Sequence, residues 1–309
     1  MKILFIGDIQ GGFIEQDYKI LSERHTVDVI DMHKYPLSTR GGISFLKRCL
    51  GISPLDFDLA WVWFADVHAV PLIVLAKLKG KPVIVCTGDY EVNKVPELNY
   101  GNQLSKIRGF ISRWVLRNAT VVIVASPPFV YRILEVEPNA RNVISIPCCI
   151  DTTPCRDPTP QKKNIIITST VSEFSKTRKG VDIFERIMRN HTDLNMISVF
   201  NVQRSEYIRM LKDAKVYCQL SHPRCESFGV SVAEAMSYGC VPVISNNECL
   251  EWVVDGNGVV SEYGDVNDIV SAIRAALTCD GTNAQKRASA FSIETRKQKI
   301  EEILLHFAK

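Results

Sequence analysis

The sequence predicts an α/β protein made of two parallel-sheet domains. Three observations carry this. Apolar runs of strand length alternate with stretches that can be helical, the alternation resumes after a proline-rich break, and 309 residues suffice for two hydrophobic cores.

In the first half the strand-length runs are Lys2–Gly7, Val27–Met32, Leu59–Phe64, Pro82–Thr87, Val121–Ala125 and Val143–Ile146. Helical stretches between them imply a parallel sheet covered on both faces. Ligands of such sheets gather beyond the carboxyl ends of the strands, so the loops there are the candidates for function. After the first run comes Asp8-Ile9-Gln10-Gly11-Gly12. Its glycine pair either lets backbone approach a ligand closely or serves only to turn the chain, and it is not a GxGxxG fingerprint. After the fourth run, Cys86–Gly101 is long, polar and aromatic, and Asp89 is its candidate site residue. His68, after the third run, reads as a buried structural histidine or as an imidazole for the site.

The stretch Leu104–Arg117 places Leu104, Ile107, Ile111, Trp114 and Val115 on one helical face, with Lys106, Arg108, Arg113 and Arg117 elsewhere. This is either a helix packed on the sheet with a solvated basic side or a surface that rests on anionic lipid. Arg40–Leu50, with its glycines, bulky apolar and basic residues, is a second candidate for lipid contact. Four prolines between Ile146 and Asn164 then mark a linker.

A new strand at Asn164–Thr168 leads through a basic loop to a helix with Val181, Phe184, Ile187 and Met188 inward. Lys176, Arg178 and Lys179 crowd the positive end of that helix, where cations are disfavoured unless an anion sits among them. This places a diphosphate at the loop; a solvated charged loop is the bland account. From Leu194 to Tyr217 there is one strand and one helix, and the backbone of Asn201–Arg204 is the candidate base contact.

Composition excludes several classes. A net charge of +3, all of it in the first 150 residues, gives no basis for nucleic-acid binding. Ten cysteines without a CxxC pair or zinc spacing indicate a reduced, cytoplasmic compartment, although cytoplasmic bridges occur in hyperthermophiles. No secretory signal or membrane span is expected, because the first apolar run is short and Leu59–Cys86 is broken by charges and proline.

The most informative stretch is Val216–Ser245, which reads as strand, loop, helix and strand, with Glu226 in the loop and Glu234 on the helix. Ser227 and Phe228-Gly229 precede the helix, so the backbone N–H groups of Phe228, Gly229 and Val230 favour an anion beside Glu226. Two carboxylates there suit a ligand with phosphate at one end and hydroxyls at the other.

PRCESFGVSVAEAMSYGCVPVIS, with Glu226, seven residues, then Glu234, resembles the E-x7-E segment of retaining glycosyltransferases of family four. IPCCID resembles that family's I-P-x-G-V-D, with Cys149 in place of glycine, and Lys179-Gly180 matches its K-G. The resemblance implies a GT-B fold of two Rossmann-like domains facing each other across a cleft. Residues 1–150 would form the acceptor-side domain and 151–290 the nucleotide-sugar domain, with a terminal helix, 291–309, crossing back. It implies a metal-independent, retaining transfer of a hexose, such as mannose or glucose, to a glycan or lipid-linked acceptor. The nucleotide sugar is then a substrate, and no cofactor is needed. Glu226 would lie beside the sugar and Glu234 on the ribose; Lys179, with Lys176 or Arg178 replacing the arginine usual at Phe174, would hold the diphosphate. Gly11 and Gly12 would lie near the phosphates and acceptor, Asp89 beside donor sugar or acceptor, and Glu251 aligns with a further family glutamate. A lipid-linked acceptor would bring the protein to the inner face of the membrane. An epimerase or phosphorylase on the same scaffold, and a non-catalytic subunit or scaffold, are the alternatives.

Overall fold

The structure, a computed structural model, describes residues 1–10, 12–35, 44–45, 57–156 and 162–307. It divides into two units, Met1–Pro147 with Arg296–Lys309, and Cys148–Thr295.

In the first unit, β1 (Lys2–Gly7), β2 (Thr26–Asp31), β3 (Leu59–Trp63), β4 (Val83–Cys86), β5 (Val121–Val124) and β6 (Val143–Ser145) form a parallel sheet in the order β2-β1-β3-β4-β5-β6. The central strands LAWVW, VIVC and VVIV are buried along their whole length, as a sheet covered on both faces requires. The described helices are α1 (Gly12–Ser22), α2 (Ala69–Leu78), α3 (Lys106–Asn118) and α4 (Pro127–Val136).

α3 buries only part of the face that its large apolar residues predict, with Val115 inside and Leu104, Ile111 and Trp114 half-buried. Its buried residues are Gly109, Ser112, Val115 and Leu116, whereas Ile107 and Phe110 are 74% and 62% exposed. The small residues turn inward because α3 lies close against the preceding turn: a Cβ on Gly109 would sit 2.8 Å from the Gln103 side chain. Asn102 Nδ2 donates to Ser112 Oγ at 2.9 Å across the same contact. The Arg40–Leu50 candidate lies outside the described residues, apart from Ser44 and Phe45.

In the second unit, β7 (Lys163–Thr170), β8 (Met196–Phe200), β9 (Ala214–Gln219), β10 (Val241–Ser245) and β11 (Val259–Ser261) form a parallel sheet in the order β11-β10-β9-β7-β8. Its helices are α5 (Val181–Asn190), α6 (Arg204–Asp213), α7 (Val230–Ser237), α8 (Glu248–Val254), α9 (Val266–Thr278) and α10 (Thr282–Ala288). Phe184 and Ile187 of α5 and Ile269 and Ile273 of α9 meet Val216, Cys218 and Val243 in the core. Because β8 lies on one side of β7 and β9 on the other, the strand order reverses at β7, and a crevice opens beyond the carboxyl ends there. Burial raises the thiol pKa of Cys218 and of Cys240, just before β10, while Cys279 at the end of α9 is exposed.

The last described helix, α11 (Ile293–Leu305), carries Arg296, whose guanidinium is buried in the first unit. Nε and Nη2 donate to the two oxygens of buried Asp17 of α1 at 2.5 and 2.8 Å, and Nη1 donates to the carbonyls of Ile146 and Pro147. With both charges out of water, removing one leaves the other uncompensated, which costs about 3–5 kcal/mol. Arg296→Met is therefore expected to lower the unfolding free energy in urea by about that amount, with part of the loss recovered by adding Asp17→Leu.

Candidate functional site

Beyond the carboxyl ends of β7 and β8, wholly within the second unit, lies a cavity of about 440 Å³. Ser169, Thr170 and Val171 line it from the end of β7, Ser175, Arg178 and Lys179 from the following loop, and Val199, Asn201 and Val202 from the end of β8. Arg204 and Tyr207 of α6 and Ser231 and Glu234 of α7 complete the lining.

The basic loop is seated by Gly180, which caps α5 with a left-handed backbone at φ +65°. A Cβ there would stand 2.0 Å from the Leu220 carbonyl oxygen, so only glycine allows the approach. Two hydrogen bonds tie the same two loops together: His222 N–H donates to the Arg178 carbonyl at 2.9 Å, and Arg178 Nη1 donates to the Cys225 carbonyl at 3.0 Å. Arg178 is thus both a wall of the cavity and a brace for the Glu226 loop. Lys179 is half-buried at the positive end of α5, and among the described residues no carboxylate pairs with it. Lys176 is not part of the lining. Its ammonium lies 3.4 Å from Glu173 and 3.8 Å from Glu185, over the ring of Phe200.

Glu234 enters the cavity from α7 and forms an ion pair with Arg204 at the start of α6. Behind it, Ser169 Oγ bonds Tyr217 OH at 2.8 Å and Tyr207 OH at 3.3 Å. Burial pushes the Tyr217 phenol up to about 12 and raises Tyr207 well above its ordinary value, so both stay neutral hydroxyls. The wall therefore offers three basic side chains, one of them paired with its one carboxylate, and several hydroxyls.

Glu226, Ser227, Phe228, Gly229 and Val230 lie in the loop after β9 and at the start of α7, and none of them lines this cavity. Glu226 and Ser227 are half-buried. The Phe228 ring is buried against Phe291 and Trp252, so only its backbone is offered to a ligand. Gly229 caps α7 at φ +88°, with the space beside it filled by Leu250. Glu251 is exposed on α8.

In the first unit, Gly12 opens α1 at φ +71° with open space where a Cβ would stand, while Gly11 lies outside the described residues. Asp89 accepts from Tyr100 OH at 2.7 Å and from Asn93 Nδ2 at 3.3 Å, inside the loop beyond β4. His68 Nε2 is 2.7 Å from the Trp63 carbonyl, and burial lowers its pKa, as fits the structural reading.

Sequence reasoning missed the side chains of Arg204, Tyr207, Ser169 and Ser231 as cavity walls. Arg204 carried only a faint signal: it is a cation in the first turn of α6, but Glu206 shares that turn and answers the charge. The hydroxyls carried none, since only the strand order brings Ser169 of β7 beside Tyr217 of β9.

Residues 184–298 match the family model of group 1 glycosyl transferases, a stretch that contains both Glu226 and Glu234. No curated protein matches the chain. Among solved structures, sucrose-phosphate synthase from Thermosynechococcus elongatus is similar at 16% identity and a TM-score of 0.76, covering 99% of this chain and 98% of that one. HepE of Anabaena, solved with UDP and glucose, is similar at 15% identity and a TM-score of 0.70, covering 99% and 100%. α,α-Trehalose 6-phosphate synthase from Burkholderia multivorans is similar at 10% identity and a TM-score of 0.68, covering 99% and 97%. The two parallel-sheet units are those of the GT-B fold. The family match and the fold together support a glycosyltransferase.

Gly180→Ala tests the seating of the basic loop. The variant must leave the left-handed backbone or push Leu220 away, and strain of this kind costs about 1–3 kcal/mol. A lowered thermal midpoint is expected, together with loss of whatever anion binding Lys179 confers.

Proposed function

We propose that the protein is a retaining glycosyltransferase that moves a hexose, such as mannose or glucose, from a nucleoside-diphosphate sugar to a hydroxyl of a glycan or lipid-linked saccharide. The observation that carries this is the cavity wall, where Arg178, Lys179 and Arg204 face a single carboxylate, Glu234. Such a site suits an anion joined to a polyol. In this reading Lys179 and Arg178 hold the diphosphate and stabilise the charge that develops as it leaves, which is the work a metal would otherwise do. Lys176 is the lesser candidate for that role, being engaged with Glu173 and Glu185. Glu234 accepts hydrogen bonds from the ribose hydroxyls, and the backbone of Asn201–Arg204 meets the base.

Glu226 orients the transferred sugar, while the N–H groups at the start of α7 reinforce the hold on phosphate. The bond from the anomeric carbon to the diphosphate oxygen breaks, and the acceptor oxygen bonds to that carbon on the same face. Its proton passes to the departing phosphate, so no protein nucleophile is needed. Gly11 and Gly12 would approach phosphates and acceptor, and Asp89 would receive an acceptor or sugar hydroxyl.

The test is calorimetric titration with UDP, GDP, ADP and their sugars in EDTA. One nucleotide is expected to bind, and Lys179→Ala to weaken it about 10- to 100-fold, the equivalent of one charge-assisted hydrogen bond. Glu226→Ala should keep the nucleotide and lower turnover on the order of 10²-fold. A product with inverted anomeric configuration would sink the retaining mechanism, and no binding at all would favour the non-catalytic scaffold.

On the acceptor side, Ile107 and Phe110 project from α3 beside exposed Lys106 and Arg108, which suits a peripheral contact with anionic lipid. Co-sedimentation with phosphatidylglycerol vesicles is expected, to be lost in the double variant Ile107→Ser/Phe110→Ser and absent with phosphatidylcholine alone.

A further inference from the structure

The segment from Thr87 to Gln103 is long, yet it is heavily tied. Asn102 N–H donates to the Tyr90 carbonyl at 2.8 Å, Gln103 N–H to the Asn93 carbonyl at 3.1 Å, and Val95 and Tyr100 bridge each other. At its root lies Glu91, a carboxyl only 2% exposed. Oε1 of Glu91 accepts from Ala65 N–H at 3.2 Å and from Gly88 N–H at 3.0 Å, so this oxygen joins the segment after β3 to the segment after β4. Oε2 is equally buried and finds no hydrogen-bond partner among the described residues. Space around it is closed: a Cβ on Gly88 would lie 3.3 Å from Oε2 and 3.1 Å from the ring of Phe64. Phe64 itself sits at φ +73°, an unusual conformation for an aromatic residue.

A neutral carboxyl tolerates this pocket far better than a carboxylate, whose second oxygen would be buried without a donor. We propose that Glu91 is a proton-operated latch: neutral, it holds the Thr87–Gln103 loop against the end of β3, and its ionisation releases that loop. The latch goes beyond glycosyl transfer and does not depend on it, although a consequence for catalysis would rest on the role proposed for Asp89. Burial pushes the Glu91 carboxyl up to about 7, with the nearby charge of Asp89 adding to the rise. The other titratable or charged groups on the elements around it are Asp66 and His68 after β3, Tyr90, Tyr100 and exposed Lys94 and Glu97 in the loop, and Arg113 of α3. Arg113 acts through Gln103, whose side chain donates to the Glu91 carbonyl at 2.7 Å.

The sign of the effect separates Glu91 from His68. The closed state raises the carboxyl from 4.5 to about 7, so it binds the proton more tightly than the open state and loses stability as pH rises through that window. His68 has its pKa lowered by burial and would act oppositely, with stability lost as pH falls. The experiment is hydrogen exchange on the full chain, with rates corrected for intrinsic chemistry, following amides 87–103 in the wild type and in Glu91→Gln. In the wild type the opening equilibrium of this loop should grow on the order of 10- to 100-fold between about pH 5 and about pH 8. Glu91→Gln should flatten the profile, while amides of the second unit serve as the reference in both proteins. If the variant does not fold, the wild-type profile decides alone. A flat profile, a slope of opposite sign, or an unchanged slope in Glu91→Gln would overturn the latch. Because exchange needs no sugar donor, a failed transfer assay leaves this result standing, and a failed latch leaves the transferase reading intact.

Discussion

The close approach of Gly180 to the Leu220 carbonyl is the constraint on which the second unit's site depends. It brings the loop after β7 against the loop after β9, and the parallel sheet then needs no further device to converge them. From that contact follow the position of Lys179 at the start of α5 and the brace that Arg178 makes to Cys225. Charge follows geometry here. Lys176 is already met by Glu173 and Glu185, and Asp182 stands in the first turn of α5, so the cation that this helix start leaves for an anion in the cavity is Lys179.

Much of the fold was legible because the strands of a parallel sheet are continuous apolar runs of limited length, as in LAWVW and VPVIS. Their boundaries fall within a residue or two of the expected ones. What misled was α3, where counting large apolar residues put Ile107 inside. The packed face is made by Gly109 and Ser112, residues that hydropathy ignores but that permit close contact.

The site was legible to the extent that its chemistry is charge. Lys179, singled out as a cation at a helix start, and Glu234, singled out by the E-x7-E resemblance, both line the cavity. The expectation that both glutamates border the same space as the basic loop holds for Glu234 alone in this cavity. Ser169, Tyr207 and Tyr217 were illegible, since neutral hydroxyls announce nothing until strand order joins them. Glu91 was also unread: in sequence it is one more charge in a polar loop, and only its burial between two strand ends makes it exceptional.

The thiols of the second unit carry a separate implication. Cys218 lies on β9 opposite Val243 of β10, and Cys240, just before β10, donates to the carbonyls of Leu211 and Ala214 at 3.3 Å. Neither can meet a reagent dissolved in water while the sheet is intact, whereas Cys279 stands in solvent. The same unit also holds buried Cys148, Cys149, Cys225 and Cys249 and half-buried Cys155, so its thiols grade from sealed to open. The lag between their alkylation rates measures how often this sheet breathes, with no dye or mutation added.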